Sequence, residues 1–199
     1  MAEILTLHDV TRMETEKIKG SRFIGLAAPA TSEEEARAAL AAEARREPDA
    51  NHHCWAWQGA HVDAYRYSDD GEPSGSAGRP IHAAILGRKL RDVLVVVTRY
   101  FGGTKLGTGG LVRAYGGAAA AVLESARVVR IRQTQLLRLH FAYEQQPLVQ
   151  AVLSASGLTP SDAEYGAAVS MTLHVPIEDV RTFERALMER SAGLVRIER

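Results

Sequence analysis

The architecture of this chain is set by one segment, DVLVVVTRYFGGTKLGTGGLVRAY, which spans residues 92–115. It opens with residues 93–97, an unbroken apolar run rich in β-branched side chains, which predicts a strand buried on both faces. Residues 112–126 are rich in alanine and predict a helix. The predicted order is therefore a buried strand, a glycine-rich loop and a helix.

The glycine-rich loop has the chemistry of an anion-binding site. Glycine allows positive φ angles and close approach of a ligand, and the start of the following helix offers unpaired N–H groups and a positive dipole end. Nearby cations would bind phosphates, and Tyr100 and Phe101 would stack on bases. The predicted phosphate- or nucleic-acid-binding residues are Arg99, Tyr100, Phe101, Gly102, Gly103, Thr104, Lys105, Gly107, Thr108, Gly109, Gly110, Arg113, Lys19, Arg22 and Arg79.

The loop departs from the two common nucleotide-binding motifs. Residues 102–106 lack the G-x-x-x-x-G-K-[ST] order of a P-loop, and residues 107–112 lack the last glycine of G-x-G-x-x-G. No nucleotide cofactor is therefore predicted. The glycines also have a purely structural explanation, in which they only let the helix pack closely on the sheet.

Composition indicates a folded protein of one or two domains. The chain has 199 residues, of which 46% are hydrophobic and 24% are charged. A single cysteine and an N-terminal sequence unlike a signal peptide predict a reducing, cytoplasmic setting. No apolar run approaches the roughly 20 residues of a membrane span, so no membrane association is predicted.

Charge is unevenly distributed along the chain. Residues 88–132 contain 9 basic and 2 acidic residues, a net charge of +7, whereas residues 1–87 have a net charge of −5. The basic segment contains the glycine-rich loop. A local basic stripe of this kind is compatible with nucleic-acid binding.

Three carboxylates and a histidine form an alternative candidate site. Residues 68–81 predict a long polar loop rich in Gly, Ser and Pro, which carries Asp69, Asp70 and Glu72. Together with His53, these groups would suit a hydrolase or transferase if they met the glycine-rich loop in one cleft. The simpler explanation is that the carboxylates form turns.

The sequence His52-His53-Cys54 suggests a metal site, but its geometry argues against one. Residues 51–57 predict a strand, in which neighbouring side chains point to opposite faces. No second Cys/His pair occurs at zinc spacing. We therefore predict no metal site and no Cys54–His53 nucleophile pair, and we place Cys54 in the core.

The remaining elements follow from local patterns. Ser32 and Glu35 form a capping box that predicts a helix over residues 33–46. Other predictions are strand segments on either side of a turn at Gly20, a strand at residues 61–67, a helix at residues 82–90 and a strand at residues 128–132.

The end of the chain follows a β-α-β-β-α-β pattern, which is the ferredoxin-like order. Its predicted strands are residues 136–142, 158–165, 167–175 and 194–197, and its predicted helices are residues 143–156 and 176–191. With a boundary at residues 133–135, we predict an α+β protein with domains at residues 1–132 and 136–199. This fold does not by itself specify a function.

Several motifs occur in a family-specific order. They are KGSRF at residues 19–23, HCWA at 53–56, DDGEP at 69–73, AGRP at 77–80 and VVTRYFGGTKLG at 96–107. On these motifs, the chain resembles bacterial members of the YigZ/IMPACT family.

The resemblance implies both a fold and a broad function. It implies an N-terminal β-α-β domain like domain IV of translation factors and like ribosomal and RNase P proteins. It implies a C-terminal domain like the ferredoxin-like domain V of the elongation factor that moves the ribosome. The eukaryotic relative regulates translation through protein contacts with an activator of a stress kinase.

The leading hypothesis is accordingly a non-enzymatic, cytoplasmic protein that binds RNA or the ribosome, with a translation-related regulatory role and a translation-related protein partner. One alternative is a hydrolase or transferase acting on a small phosphorylated or peptidyl substrate. The other is a protein-interaction module, which would expose a large apolar patch.

Overall fold

The structure, a computed structural model, describes residues 3–199. The chain is α+β, as predicted, and forms two compact units. One unit comprises residues 4–131, and the other comprises residues 132–199 together with Glu3. Within the described range, no helix is both long enough and apolar enough to cross a membrane.

The first unit is built on an antiparallel five-stranded sheet. Seven strands occur among the described residues of this part of the chain: β1 (Glu3–Leu7), β2 (Thr11–Glu14), β3 (Arg22–Pro29), β4 (His52–Gln58), β5 (Tyr65–Ser68), β6 (Val93–Tyr100) and β7 (Val128–Arg132). The five-stranded sheet has the order β2-β3-β6-β4-β5, and β1 pairs separately with β7. Strand β6, predicted from the sequence, is therefore the central strand.

Helices cover both faces of β6. They are α1 (Glu33–Arg46), α2 (Gly78–Gly87) and α3 (Thr108–Ser125). Val95 and Val97 belong to the apolar cluster that includes α2 and α3, whereas Leu94 and Val96 belong to the cluster that includes α1. This alternation follows from the two-residue period of a strand, and it confirms the prediction that the strand is buried on both sides.

Helix α1 has the bounds predicted from its capping signals. The N–H group of Glu35 donates to Oγ of Ser32 at 3.1 Å. The Glu35 carboxylate accepts from the backbone N–H of Thr31 at 2.7 Å, one residue earlier than in the usual capping box. Local side-chain chemistry thus determines where α1 begins.

Two elements beside the polar loop differ from the sequence prediction. Strand β5 begins at Tyr65 rather than residue 61, because residues 61–64 form a turn in which Ala64 donates to the His61 carbonyl. Helix α2 begins at Gly78 rather than residue 82, since Pro80 lies in its first turn, where a missing N–H costs nothing. The polar loop is therefore shorter than predicted and spans residues 69–77.

The second unit has the ferredoxin-like order predicted from the sequence. Its elements are β8 (Thr134–Phe141), a 3₁₀ turn (Tyr143–Gln145), α4 (Gln146–Ala155), β9 (Asp162–Tyr165), β10 (Val169–Pro176), α5 (Val180–Ser191) and β11 (Arg196–Glu198). The sheet order is β11-β8-β10-β9. Alternate residues such as Leu137 and Leu139 of β8 pack with Phe183 and Leu187 of α5 in one apolar core.

Candidate functional site

Strand β6 places Arg99 beneath the glycine-rich loop rather than on the surface. The side chain of Arg99 is only 5% exposed, and so is that of its partner Glu72. Nη1 of Arg99 donates to Oε1 of Glu72 at 2.5 Å, and Nη2 donates to Oγ of Ser21 at 3.3 Å. Arg99 was predicted as a phosphate contact, but its charge is already neutralised by Glu72.

Glu72 is the centre of a buried polar network. Its Oε1 atom also accepts a hydrogen bond from the hydroxyl of Tyr115 at 2.7 Å, and Nε2 of His52 lies 3.8 Å away. Nδ1 of His52 lies 2.7 Å from the carbonyl oxygen of Asp70, which can only accept, so Nδ1 carries a hydrogen. Tyr115 and His52 were not predicted, because they lie on α3 and β4 and share no local motif with the loop.

Asp69 organises the backbone of the polar loop. Its carboxylate accepts from the N–H groups of Gly75 at 2.8 Å, Ala77 at 2.9 Å and Gly78 at 2.8 Å. Burial raises the pKa of Asp69, but these three hydrogen bonds together outweigh it and hold the pKa below its ordinary value. Asp69 therefore acts as a turn former, which is the simpler of the two explanations given from the sequence.

Asp70 and His53 meet through the backbone rather than through the histidine ring. Oδ2 of Asp70 accepts from the backbone N–H of His53 at 2.5 Å. The His53 side chain lies on the opposite face of β4 from His52 and Cys54, because it is an odd number of residues from each. Its Nε2 is buried and has no hydrogen-bond partner among the described residues. The histidine beside the Glu72 carboxylate is thus His52, not the predicted His53.

Cys54 lies in the core, as predicted. It is fully buried, and its Sγ donates to the carbonyl oxygen of Asp69 at 2.9 Å. Burial raises the pKa of the Cys54 thiol to about 12. The thiolate that a nucleophile or metal ligand requires is therefore not populated at neutral pH.

Asp69→Asn should destabilise the first unit at pH 7 by about 1–2 kcal/mol, because the charge-assisted hydrogen bond from Gly75 loses its acceptor. The pKa of Asp69 is lower in the folded protein than in the unfolded chain. The stabilisation of the fold by its carboxylate is therefore fully present above about pH 4 and is lost as the pH falls through the folded pKa. The stability gap between wild type and variant should therefore narrow below pH 4.

Urea denaturation followed by tryptophan fluorescence at pH 7 and pH 3 measures this effect. Both tryptophans, Trp55 and Trp57, lie in β4, so the signal reports on the first unit. Asp63→Asn, at an exposed turn position, is the matched control. A gap that stays the same at both pH values would contradict the role given to the Asp69 carboxylate.

A cavity of about 340 Å³ opens between the polar loop and the start of α3. The buried ion pair of Glu72 and Arg99 lies in its lining. Its other lining residues come from the two loops and from α3: Pro73, Phe101, Lys105, Leu106, Gly107, Thr108 and Leu111. The structure thus brings Glu72 together with the glycine-rich loop, whereas Asp69, Asp70 and His53 do not line this cavity.

Helix α3 begins earlier than the alanine-rich pattern suggested, so Gly109 and Gly110 belong to its first turn rather than to the loop. Gly107, with φ +71°, precedes this turn and offers no side-chain cap. The first N–H groups of α3 are therefore available to a ligand. A Cβ atom at Gly109 would lie 3.8 Å from Nη1 of Arg113, so the Arg113 guanidinium lies beside this turn.

The glycine-rich loop contains glycines with different roles. Gly102 packs against the turn at Gly20, and a Cβ atom at Gly102 would overlap the backbone there. Gly103 has φ +85° and open space around its Cα, and Thr104 is exposed. Gly102 is therefore a packing residue, and Gly103 and Thr104 lie where a ligand can reach them.

Four other predicted residues lie away from this cavity. The Arg22 guanidinium donates to Glu14 at 2.9 Å and lies 5.1 Å from the ring centre of Tyr100. Lys19 occupies an exposed turn with φ +48°. Arg79 lines a different cavity. The predicted binding residues therefore fall into several groups rather than one.

The sequence matches two families of protein domains. The family described as the Impact N-terminal domain matches residues 19–123, and a domain of unknown function, DUF1949, matches residues 139–194. These matches fall in the first and second units respectively.

Individual proteins are similar over most of the chain. The IMPACT family member YigZ of Escherichia coli (strain K12) is 36% identical over 185 residues, which cover 92% of this chain and 91% of that protein. An IMPACT family member of Thermus thermophilus, described as lying in the pol 5′ region, is 44% identical over 159 residues, covering 80% and 86% respectively. A solved structure described as the crystal structure of a hypothetical protein is 33% identical, with a TM-score of 0.75. The match covers 99% of this chain and 97% of that chain.

Proposed function

Starting from the fact that this chain belongs to the IMPACT family, we propose that it is a cytoplasmic RNA- or ribosome-binding protein with a translation-related regulatory role and no catalytic activity of its own. The observation that carries this proposal is the surface at the start of α3. There the uncapped N–H groups of the helix lie next to exposed cations and an exposed aromatic ring.

The cations of this surface suit phosphate groups. Lys105 and Arg113 are exposed, and neither forms a salt bridge within residues 3–199. They flank the first turn of α3, where the helix dipole adds to their positive potential. Because Arg99 is buried and paired with Glu72, Lys105 and Arg113 replace it as the principal phosphate contacts in this proposal.

The aromatic ring supports RNA rather than an isolated phosphate. Phe101 is 46% exposed and lies beside the glycine-rich loop, with its ring centre 5.4 Å from the Arg99 guanidinium. An exposed ring next to phosphate-binding groups offers a stacking surface for an unpaired base. Tyr100 is less suited to this role, since its hydroxyl donates to Glu47 at 2.7 Å and fixes the ring.

The hydrogen bonds of the polar loop favour binding over catalysis. Asp69 and Asp70 accept from backbone N–H groups, and Glu72 accepts from Arg99 and Tyr115. A general base needs an acceptor that is free to take a proton from a substrate. The three carboxylates predicted for a hydrolase or transferase are instead engaged in holding the loop.

Lys105→Ala/Arg113→Ala should weaken binding to RNA and to ribosomes. The association constant should also fall less steeply with salt, with the slope of log K against log salt reduced in magnitude by about one to two units, because each cation releases about one counterion. The measurement is binding of the purified protein to fragmented total cellular RNA and to ribosomes over a range of salt concentrations. Arg45→Ala/Arg46→Ala, at the end of α1, removes the same charge elsewhere in the first unit and is the matched control.

Only the variant at the start of α3 should lose affinity for RNA. Equal RNA affinity and equal salt slope in both variants would remove the glycine-rich loop as the binding surface. A complete absence of salt-sensitive binding by the wild-type protein would overturn the proposed function itself.

A further inference from the structure

A second cavity, of about 630 Å³, lies beside the polar loop, with Gly75 of that loop in its lining. One wall carries three rings, those of Tyr65 and Tyr67 from β5 and that of His82 from α2, and Arg79 lies beside them. Arg79 is one of the predicted phosphate contacts, and no local motif links it to these rings. None of the described residues that line this cavity is acidic.

The three rings form one stack. The ring centres of Tyr65 and His82 are 4.7 Å apart, with an interplanar angle of 21°. Those of Tyr65 and Tyr67 are 6.3 Å apart at 6°, and those of Tyr67 and His82 are 6.2 Å apart at 27°. Tyr65 and Tyr67 share a face because they are two residues apart on a strand. Each remains 41% exposed, so the stack presents aromatic surface to solvent.

His82 is held in a fixed orientation and is neutral. Nε2 of Gln58 donates to three backbone carbonyls at 2.7 to 3.2 Å, so its Oε1 is the atom that faces His82. Nε2 of His82 lies 3.0 Å from this oxygen and therefore donates to it. Burial, and secondarily the positive charge of Arg91, lower the pKa of His82. The stack is thus an ordered, uncharged aromatic surface at neutral pH.

The cavity of the stack adjoins the cavity of the glycine-rich loop. Pro73 lines the loop cavity, and Gly75 lines the cavity of the stack. Two residues of extended chain span at most about 7 Å, so these two lining residues of the polar loop lie within about 7 Å of each other. One flexible polyanion can therefore contact both.

We propose that Tyr65, Tyr67 and His82 form a base-stacking platform for single-stranded RNA, with Arg79 as its phosphate contact. Exposed planar rings next to a cation, with no carboxylate in the lining, match the alternating bases and phosphates of a nucleic acid. The RNA must be single-stranded at this position, because bases paired within a duplex have no free face to offer. This inference rests on the proposed RNA-binding function and specifies the form of RNA that is bound.

The test uses the full-length chain and two RNA probes, a single-stranded oligonucleotide of about 12 nucleotides, within the site sizes of known single-strand binders, and a duplex of the same sequence. Fluorescence anisotropy gives the dissociation constants. We expect tighter binding of the single strand, and Tyr65→Ala/Tyr67→Ala should weaken that binding about 10-fold or more while changing duplex binding little. Tyr65→Phe/Tyr67→Phe keeps the rings and should stay within about twofold of wild type.

Two further measurements check the fold of the variants and separate the two binding surfaces. Tryptophan fluorescence in urea checks that the alanine variant folds, and Tyr65→Leu/Tyr67→Leu, which keeps apolar bulk without planar rings, replaces it if it does not. Single-strand binding that is lost in Lys105→Ala/Arg113→Ala but unchanged in the Tyr65/Tyr67 variants would overturn the platform and leave the proposed function intact. No binding of either probe by the wild-type chain would overturn both.

Discussion

Arg99→Ala is expected to lower the free energy of unfolding of the first unit by about 3–5 kcal/mol, because it leaves a buried carboxylate without its counter-charge. The Glu72 side chain is 5% exposed and would keep the Tyr115 hydroxyl as its hydrogen-bond donor. Ser21 would also lose its contact with Nη2 of Arg99. The effect should be large because one substitution removes both the ion pair with Glu72 and the hydrogen bond to Ser21.

Urea denaturation followed by tryptophan fluorescence measures the loss. Arg22→Ala is the matched control, since Arg22 lies on β3 and pairs with Glu14 at a site where both side chains are 41% exposed, so its removal should have much less effect. Adding Glu72→Gln to Arg99→Ala should restore part of the stability, because it removes the uncompensated charge. Equal losses for Arg99→Ala and Arg22→Ala would show that the buried ion pair is not important for the fold.

Gly102→Ala is expected to destabilise the first unit by roughly 3 kcal/mol, since the added methyl group has no space. Its Cβ atom would overlap the carbonyl carbon of Gly20 and the nitrogen of Ser21, both of which are backbone atoms that cannot rotate away. The turn would have to move, and the hydrogen bond of 3.2 Å from the Gly102 N–H group to Oγ of Ser21 would be lost with it.

The same urea titration measures this loss, and α3 provides a matched control. Gly117 lies inside this helix, and a Cβ atom there would meet nothing within 4 Å. Gly117→Ala should therefore stabilise the protein by about 0.5–1 kcal/mol, because alanine is the better helix former. A Gly102→Ala variant as stable as wild type would mean that the contact with the Gly20 turn is not tight in solution.

The elements that could be predicted from the sequence are those whose signals are local. Residues 93–97 carry their own evidence for a buried strand, and Ser32 and Glu35 mark the start of α1. The start of β5 and the start of α2 could not be located, because residues 61–64 and Pro80 fit either a regular element or a turn until tertiary contacts decide. Tertiary contacts decide where a helix or strand begins and ends more than they decide whether it forms.

The residues of the candidate site were harder to assign than the loop that contains them. His53 is the histidine predicted for the site, but a shift of one residue along a strand reverses the face that a side chain occupies. His52 therefore lies beside Glu72. The burial of Arg99 could not be foreseen either, since Glu72 and Ser21 reach it from two other segments of the chain.

The aromatic platform shows an intermediate case. Tyr65 and Tyr67 are spaced for one face of a strand, and this signal is visible in the sequence. His82, which completes the stack, comes from α2 and is oriented by Gln58 of β4. The strand pattern could have identified the pair of tyrosines, but only the folded chain identifies the third ring.

The polar loop has a further consequence for binding, because its carboxylates hold it in one conformation before any ligand arrives. Asp69 and Asp70 fix its backbone, and Glu72 anchors it to the sheet. Because this segment is already ordered, a ligand that contacts both cavities binds without the conformational-entropy cost of ordering it. Once it is bound at one cavity, its other end is held near the second at a high effective concentration, so two weak contacts combine into one strong association.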